Sequence, residues 1–343
     1  GSTVKLESAS VFLVKSVRLA ILVEKNQLKQ RKHNMKILGI GNAIVDVICK
    51  VEDSFITQNN LTKSTMKLIF DDKEFKNLLM NLKVEKTVSG GSVANSIVGL
   101  SQLGDQVGFI GKVNDDELGD KYEQGLKNEN VNFFYSKKKE NMPTGTCLIL
   151  VTPDSERTMC TFLGIAGKIN EHDVNADVIK KSKLIFLEGY LWDEGDPKKA
   201  FDKAINNAEK VAMSLSDQFC VDRHKPHFLE LVKNKLDITF ANEQEIMSLI
   251  DAKSFNDVID FSKNLGKLIV ITRGEKGAIA INGDKISECG IKKGLNVVDL
   301  TGAGDLFAAG FLHGHVNDMS LQDCLEKGTD MSSQIIQQIG ARL

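Results

Sequence analysis

The chain has 343 residues, 42% of them hydrophobic and 26% charged, with 44 Lys and Arg against 46 Asp and Glu for a net charge of -2. That length suits one large domain, alone or with a small companion, and the apolar fraction supports a sizeable core. The near-neutral balance argues against a nucleic-acid binder, which would carry a basic excess. The six cysteines, at 49, 147, 160, 220, 289 and 324, form no CxxC or other metal-ligand spacing. They read as reduced core residues of a cytoplasmic protein.

Residues 1–34 differ in character from the rest of the chain. Gly1-Ser2 reads as an expression remnant. Val11 to Val23 is apolar but broken by Lys15 and Arg18, and its 13 residues are too few to span a bilayer. Glu7 and Glu24 fit a targeting peptide poorly. The segment is expected to be an extension outside the fold: a tag, a leader or a disordered stretch, with a transit peptide as the alternative.

From Met35 onward, strand and helix patterns alternate. Short apolar runs predict buried strands at Ile37–Ile40, Val107–Ile110, Leu184–Leu187, Val211–Leu215, Ile238–Phe240 and Leu268–Ile271. Val93, Ile97 and Leu100 have helical spacing, and Gly104 stands as a stop. Further helices are predicted at Glu117–Asn128, Pro197–Asn207, Glu243–Leu249, Val258–Leu265, Ala303–His313 and Leu321–Ile339. This order argues for a mostly parallel central sheet with helices on both faces, a three-layer α/β/α domain. Two regions, about 47–70 and 132–162, show strand-like alternation instead. They are expected to form a small antiparallel sheet that serves as a lid, with Lys137-Lys138-Lys139 in a solvated turn.

Three glycine turns carry the chemistry. Val297-Val298-Asp299-Leu300-Thr301-Gly302-Ala303-Gly304-Asp305 leads into the apolar helix Leu306–Phe311. A small-residue turn at a helix start presents backbone N–H groups and the positive dipole end to an anion. Asp305 there is either a general base for an attacking hydroxyl or a helix-capping residue. Ser89-Gly90-Gly91-Ser92-Val93-Ala94-Asn95 is a second turn feeding a helix, with Asn95 able to meet a hydroxyl; a plain tight turn is the simpler reading. Gly39-Ile40-Gly41-Asn42-Ala43-Ile44-Val45-Asp46 begins like a dinucleotide fingerprint, but Ile44 replaces its third glycine. No Walker A motif occurs, and a dehydrogenase is disfavoured.

Gly90–Asn95 and Asp299–Asp305, in this order and spacing, resemble the two signatures of the ribokinase/PfkB family of carbohydrate and purine kinases. The resemblance runs over residues 35–343, with Asp-Leu where the family usually has Asp-Thr. Asn242-Glu243-Gln244-Glu245 is similar to the family's Asn-x-x-Glu element, and Thr272-Arg273-Gly274-Glu275-Lys276-Gly277 to its turn beside the nucleotide. The resemblance implies a ribokinase-like fold with a small β-lid. It implies Asp305 as the base, with Gly302, Ala303 and Gly304 as the anion hole. Asn42, Asp46, Gly90, Gly91 and Asn95 would bind the acceptor. Ser214, Asn242, Thr272, Gly274 and Gly277 would line the ATP site, and Glu245 with Asn242 would hold Mg2+ through water. A monovalent cation such as K+ would sit near Asp299.

The opening Gly41-Asn42-Ala43-Ile44-Val45-Asp46 resembles that of adenosine kinases. Arg157 sits where that branch carries a lid arginine reaching toward the phosphates; a solvent-facing Arg on a strand is the alternative. Ser214-Leu215-Ser216-Asp217-Gln218-Phe219 is similar to the branch's Asn-Leu-Ser-Ala-Pro-Phe element, with Ser214 in place of Asn and Asp217 able to orient a metal-bound water. The implied activity is transfer of the ATP γ-phosphate to the 5′-hydroxyl of adenosine, as in purine salvage. A sugar kinase acting on ribose, fructose or a similar sugar is the alternative, and a catalytically silent nucleotide- or sugar-binding protein is the third reading. The expected partners are small molecules, with no nucleic acid and no membrane, and the chain is a monomer or homodimer. His224 and His227 have HxxH spacing but read as a solvated loop. His313-Gly314-His315 reads as the polar end of a helix, and Trp192 as a packing aromatic or a border of the nucleotide cleft. The end of the chain soon after Gly340-Ala341-Arg342 leaves a further terminal segment open.

Overall fold

The computed structural model describes residues 14–24, 35–193 and 195–343. Residues 14–24 form a helix that is exposed along its whole length; the rest of the expected extension lies outside the described residues. No helix among the described residues is long and apolar enough to cross a membrane.

Nine strands form the large sheet, in the order Lys285–Cys289, Ala278–Asn282, Leu268–Thr272, Ile238–Asn242, Val211–Ser214, Ser182–Glu188, Met35–Ile40, Val107–Ile110 and Asn132–Phe133. Pairing is parallel from Leu268–Thr272 through to Asn132–Phe133 and antiparallel at the other edge. Alternate residues of these strands enter different cores. Leu184 and Phe186 pack with Ile97, Phe307 and Phe311, whereas Ile185 and Leu187 pack with Phe201, Phe228 and Ile246. Both faces are thus covered by helices, and continuous apolar runs rather than alternating ones are what such strands require.

The smaller sheet has five strands, in the order Met66–Leu68, Arg157–Phe162, Gly145–Val151, Ile44–Lys50 and Val84–Gly90. Four details correct the sequence reading. The sheet begins at Ile44 rather than near 47. It gains Val84–Gly90, a charged segment without apolar alternation. Asn132–Phe133 belongs instead to the large sheet, where it pairs with Val107–Ile110. Ile44–Lys50 pairs in parallel with Gly145–Val151, so the sheet is mixed rather than antiparallel.

Other expectations also change. Residues 222–227 are not a loop: they lie within the helix Gln218–Asn234, which kinks at His224 and so accommodates Pro226. His224 is buried. Trp192 is a packing residue, buried against Phe201, His227 and Phe228 with ring centroids 5.8, 5.8 and 6.2 Å away. The last helix ends at Ile335 rather than Ile339. His313 meets the Asp105 carboxylate at 2.6 Å. All six cysteines are free thiols.

Candidate active site

A cleft of about 580 Å³ opens where the smaller sheet faces the carboxyl ends of the parallel strands. Ser214, Asn242 and Thr272 each end a strand there and line it, which is where open α/β sheets hold their ligands. On the opposite wall the pleat of the smaller sheet sorts the side chains. Ile44, Asp46, Cys147, Ile149, Met159 and Thr161 line the cleft, while Val45, Val47, Leu148, Leu150, Cys160 and Phe162 are buried in the core.

Asp305 is the third residue of the helix Ala303–Val316. Its carboxylate does not cap that helix. Oδ1 accepts from Ser92 Oγ at 2.6 Å and Oδ2 from Asn95 Nδ2 at 3.0 Å, while Ser96 Oγ donates to the Asp305 carbonyl at 2.7 Å. Both glycine turns therefore converge on one carboxylate. Burial pushes its pKa up, opposed by the Asn95 and Ser92 hydrogen bonds and the Arg342 charge. Gly302, immediately before this helix, has φ +79°, and a Cβ there would lie 2.6 Å from the Ala341 side chain. The Ala303 N–H donates to the Leu300 carbonyl at 3.2 Å, leaving the amides of Gly302 and Gly304 to receive an anion.

Gly91 shapes the second turn. Its φ is +107°, and a Cβ would meet the Asn42 carbonyl at 2.2 Å. Gly90 makes room for Asp46, whose Oδ2 would lie 2.6 Å from a Cβ. Burial pushes the Asp46 carboxyl up to about 7, against the pull of Arg342 and Arg157.

Glu188, which no motif marked, ends the strand Ser182–Glu188 and braces the same turn. It accepts from Asn42 N–H at 2.8 Å and from Val93 N–H at 3.0 Å. A carboxylate at the start of the helix Ser92–Gln102 complements its dipole. Burial nevertheless pushes the Glu188 carboxyl up to about 7.

Asn242 and Glu245 form a capping box: Asn242 Oδ1 accepts from Glu245 N–H at 2.8 Å, and Glu245 Oε1 from Asn242 N–H at 2.9 Å. Burial raises the Glu245 carboxyl above its ordinary range. Among the described residues no group of three or more His, Cys, Asp or Glu could hold a metal. With one oxygen committed to the box, Glu245 suits an ion that keeps most of its waters. Asp217 caps the helix Gln218–Asn234 through Cys220 N–H at 2.7 Å. Ser214 Oγ accepts from Ser216 N–H at 3.2 Å.

Of the residues picked from sequence, Asp46, Gly91, Asn95, Ser214, Asn242, Glu245, Thr272, Gly302, Ala303, Gly304 and Asp305 line one cleft. Asn42, Gly90, Arg157, Gly274 and Gly277 do not. Asn42 is buried beneath the turn. Arg157 pairs with Asp299 at 3.3 Å, which places its positive charge beside the segment that leads into the Gly302 turn. Gly277 packs against the Cys289 carbonyl. Ser92, Glu188, Tyr190 and Arg342 were missed. Ser92 was legible as the residue after the second glycine pair; the other three are brought in only by the fold.

The pfkB family carbohydrate kinase model matches residues 40–343. The solved structure of an adenosine kinase from Sinorhizobium meliloti is 37% identical, with a TM-score of 0.80 over 90% of this chain and 96% of that one. Adenosine kinase 2 of Arabidopsis thaliana is 25% identical over 336 residues, 89% of this chain and 94% of its own length. A 5-dehydro-2-deoxygluconokinase of Geobacillus kaustophilus is 27% identical over 265 residues, 72% of this chain and 78% of its own. The match over nearly the whole fold, with both glycine turns meeting at Asp305, means that the chain belongs to the pfkB family of carbohydrate kinases and is a phosphotransferase with an alcohol group as acceptor.

Proposed function

We propose that the protein transfers the γ-phosphoryl group of ATP to the 5′-hydroxyl of adenosine. The observation that carries the acceptor is the cleft wall of the smaller sheet. Ile44, Ile149 and Met159, with the Cys147 thiol, give a mostly apolar surface beside the single carboxylate of Asp46. A purine ring would bury that surface while its ribose hydroxyls meet Asp46 and Asn95; a free sugar would leave the apolar wall wet. The likeness to two adenosine kinases supports the same reading.

In this mechanism Asp305 accepts the proton of the attacking hydroxyl. The Ser92 and Asn95 hydrogen bonds orient its carboxylate, and its raised pKa makes it a better base than an exposed aspartate. The amides of Gly302 and Gly304 stabilise the charge on the transferring group. Mg2+, held through water by Glu245 with Asn242 fixing its carboxylate, would neutralise phosphate charge. Ser214 and Thr272 flank the nucleotide. Positioning these groups in one cleft supplies much of the rate enhancement.

Turnover of adenosine, inosine, ribose and fructose, each with ATP, tests the reading. Adenosine should be phosphorylated fastest. Turnover of ribose or fructose without either nucleoside would make the protein a sugar kinase, the reading favoured by its gluconokinase relative. No transfer to any acceptor would leave the silent binding protein.

A further inference from the structure

Arg342 enters the cleft region from a part of the chain that no motif marks. Its backbone is held on both sides: Gly340 N–H donates to Asp299 Oδ2 at 3.0 Å, and Gln102 Nε2 donates to the Leu343 carbonyl at 3.3 Å. Ala341 lies against Gly302. The guanidinium donates from Nη1 to Asn95 Oδ1 and from Nη2 to the Ser89 carbonyl. Asn95 Nδ2 donates in turn to Asp305 Oδ2 at 3.0 Å.

We propose that Arg342 is a positioning residue for phosphoryl transfer: it holds the Asn95 carboxamide so that the amino group stays on Asp305 and the base keeps one orientation. The inference rests on Asp305 acting as base, as in the reading above. The two ends of a carboxamide have nearly the same shape but opposite hydrogen-bonding character. A guanidinium only donates, so it selects the oxygen end and leaves the amino end for the carboxylate. A flipped Asn95 would set its oxygen against Asp305. Ser89 lies in the strand Val84–Gly90, so the same side chain also ties the smaller sheet to the helix Ser92–Gln102.

The charge works in the same direction. The titratable groups around Asp305 are Asp46 from the smaller sheet, Glu188 from the end of the strand Ser182–Glu188, Tyr190 from the turn after it, and Arg342. Arg342 is the cation that acts on both Asp46 and Asp305. Removing it would favour the protonated form of the base.

The test compares wild type, Arg342→Ala and Arg342→Lys in two readouts. One is kcat against pH with whichever acceptor the wild type phosphorylates. The other is the pH titration of the Asn95 side-chain amide signals by NMR. Arg342→Ala is expected to lower kcat roughly tenfold at neutral pH, as for loss of a charge-assisted hydrogen bond, with the KM for ATP unchanged. Its acid limb and the Asn95 midpoint should both move up by about one pH unit. Arg342→Lys should return the limb toward wild type but recover only part of kcat, because an ammonium lacks the planar fork. An unmoved acid limb and Asn95 midpoint in Arg342→Ala overturn the proposal. So does a loss of kcat in both variants with an unmoved midpoint, which marks a merely structural role. If the wild type phosphorylates no acceptor, the proposed function fails, and the Asn95 midpoint alone decides for or against Arg342. If Arg342→Ala does not fold, Arg342→Gln takes its place in the same comparison.

Discussion

Arg157 Nη1 lies 3.3 Å from Asp299 Oδ2, joining the smaller sheet to the segment that leads into the Gly302 turn. Both side chains are mostly covered, 19% and 15% exposed. Burial alone would raise the Asp299 carboxyl, but hydrogen bonds from Thr301 and the Gly340 N–H, with the Arg157 charge, hold it below its ordinary value. The pair bridges the two walls of the cleft, so its loss should loosen one against the other. Arg157→Ala is expected to lower the melting temperature by about 2 °C at low salt, as for loss of up to about 1 kcal/mol. The deficit should shrink as salt is raised. Equal melting of the two proteins at low salt would show that the bridge contributes nothing.

Asp305 is held by Ser92 and Asn95 rather than by its own helix, as the proposed role of general base requires. Asp305→Asn should therefore reduce kcat by about a thousandfold, within the range for general-base catalysis. Because the change removes a buried charge, the melting temperature should stay the same or rise. Unaltered kcat in a folded Asp305→Asn protein would remove Asp305 from the mechanism.

Asp46 gives stability a definite pH slope. Its folded pKa of about 7 lies above the unfolded value of about 3.9. The protonated carboxyl thus contributes stability that is fully present below about pH 4 and lost as pH rises through 7. Asp46→Asn is neutral throughout and lacks that loss. Thermal melts at pH 5 and pH 8 should show the variant gaining on wild type as pH rises; a difference that does not vary with pH counts against a buried, neutral Asp46.

Gly302 and Gly304 should separate backbone strain from anion binding. Gly302→Ala forces a side chain into the left-handed region and against Ala341, at a cost of about 1–2 kcal/mol before the clash is counted. Lower melting temperature and lower kcat together are expected. A Cβ on Gly304 meets nothing within 4 Å, and Ala is the better helix former by about 1 kcal/mol. Gly304→Ala should melt at or above wild type yet lose kcat, because its methyl group stands in the cleft wall where the phosphoryl group must approach. Wild-type kcat in Gly304→Ala would place the anion elsewhere.

Much of the fold was legible because its signals are local. The buried strands at 107–110 and 211–214 and the helix at 117–128 are continuous apolar runs or helical periodicities within a few residues of sequence. Val84–Gly90 was not legible: its exposed, charged residues make it an edge strand by pairing with Ile44–Lys50. The segment around His224 misled for a related reason. Pro226 reads as a break, yet the two halves form one kinked helix with His224 and Phe228 buried against each other.

The same division runs through the site. By itself the sequence determined the two glycine turns, Asp305 at the start of a helix, and Asp46 on a strand, because each depends on backbone conformation over a handful of neighbouring residues. Tertiary structure alone decided what meets Asp305: Ser92 from 213 positions away and Asn95 from 210, with Arg342 reaching Asn95 across 247. It also decided that Glu188 supports the Gly91 turn and that Arg157 faces Asp299. Contacts between distant segments leave no periodicity in the chain. They exist only once burial of both faces of the large sheet has fixed where each strand ends.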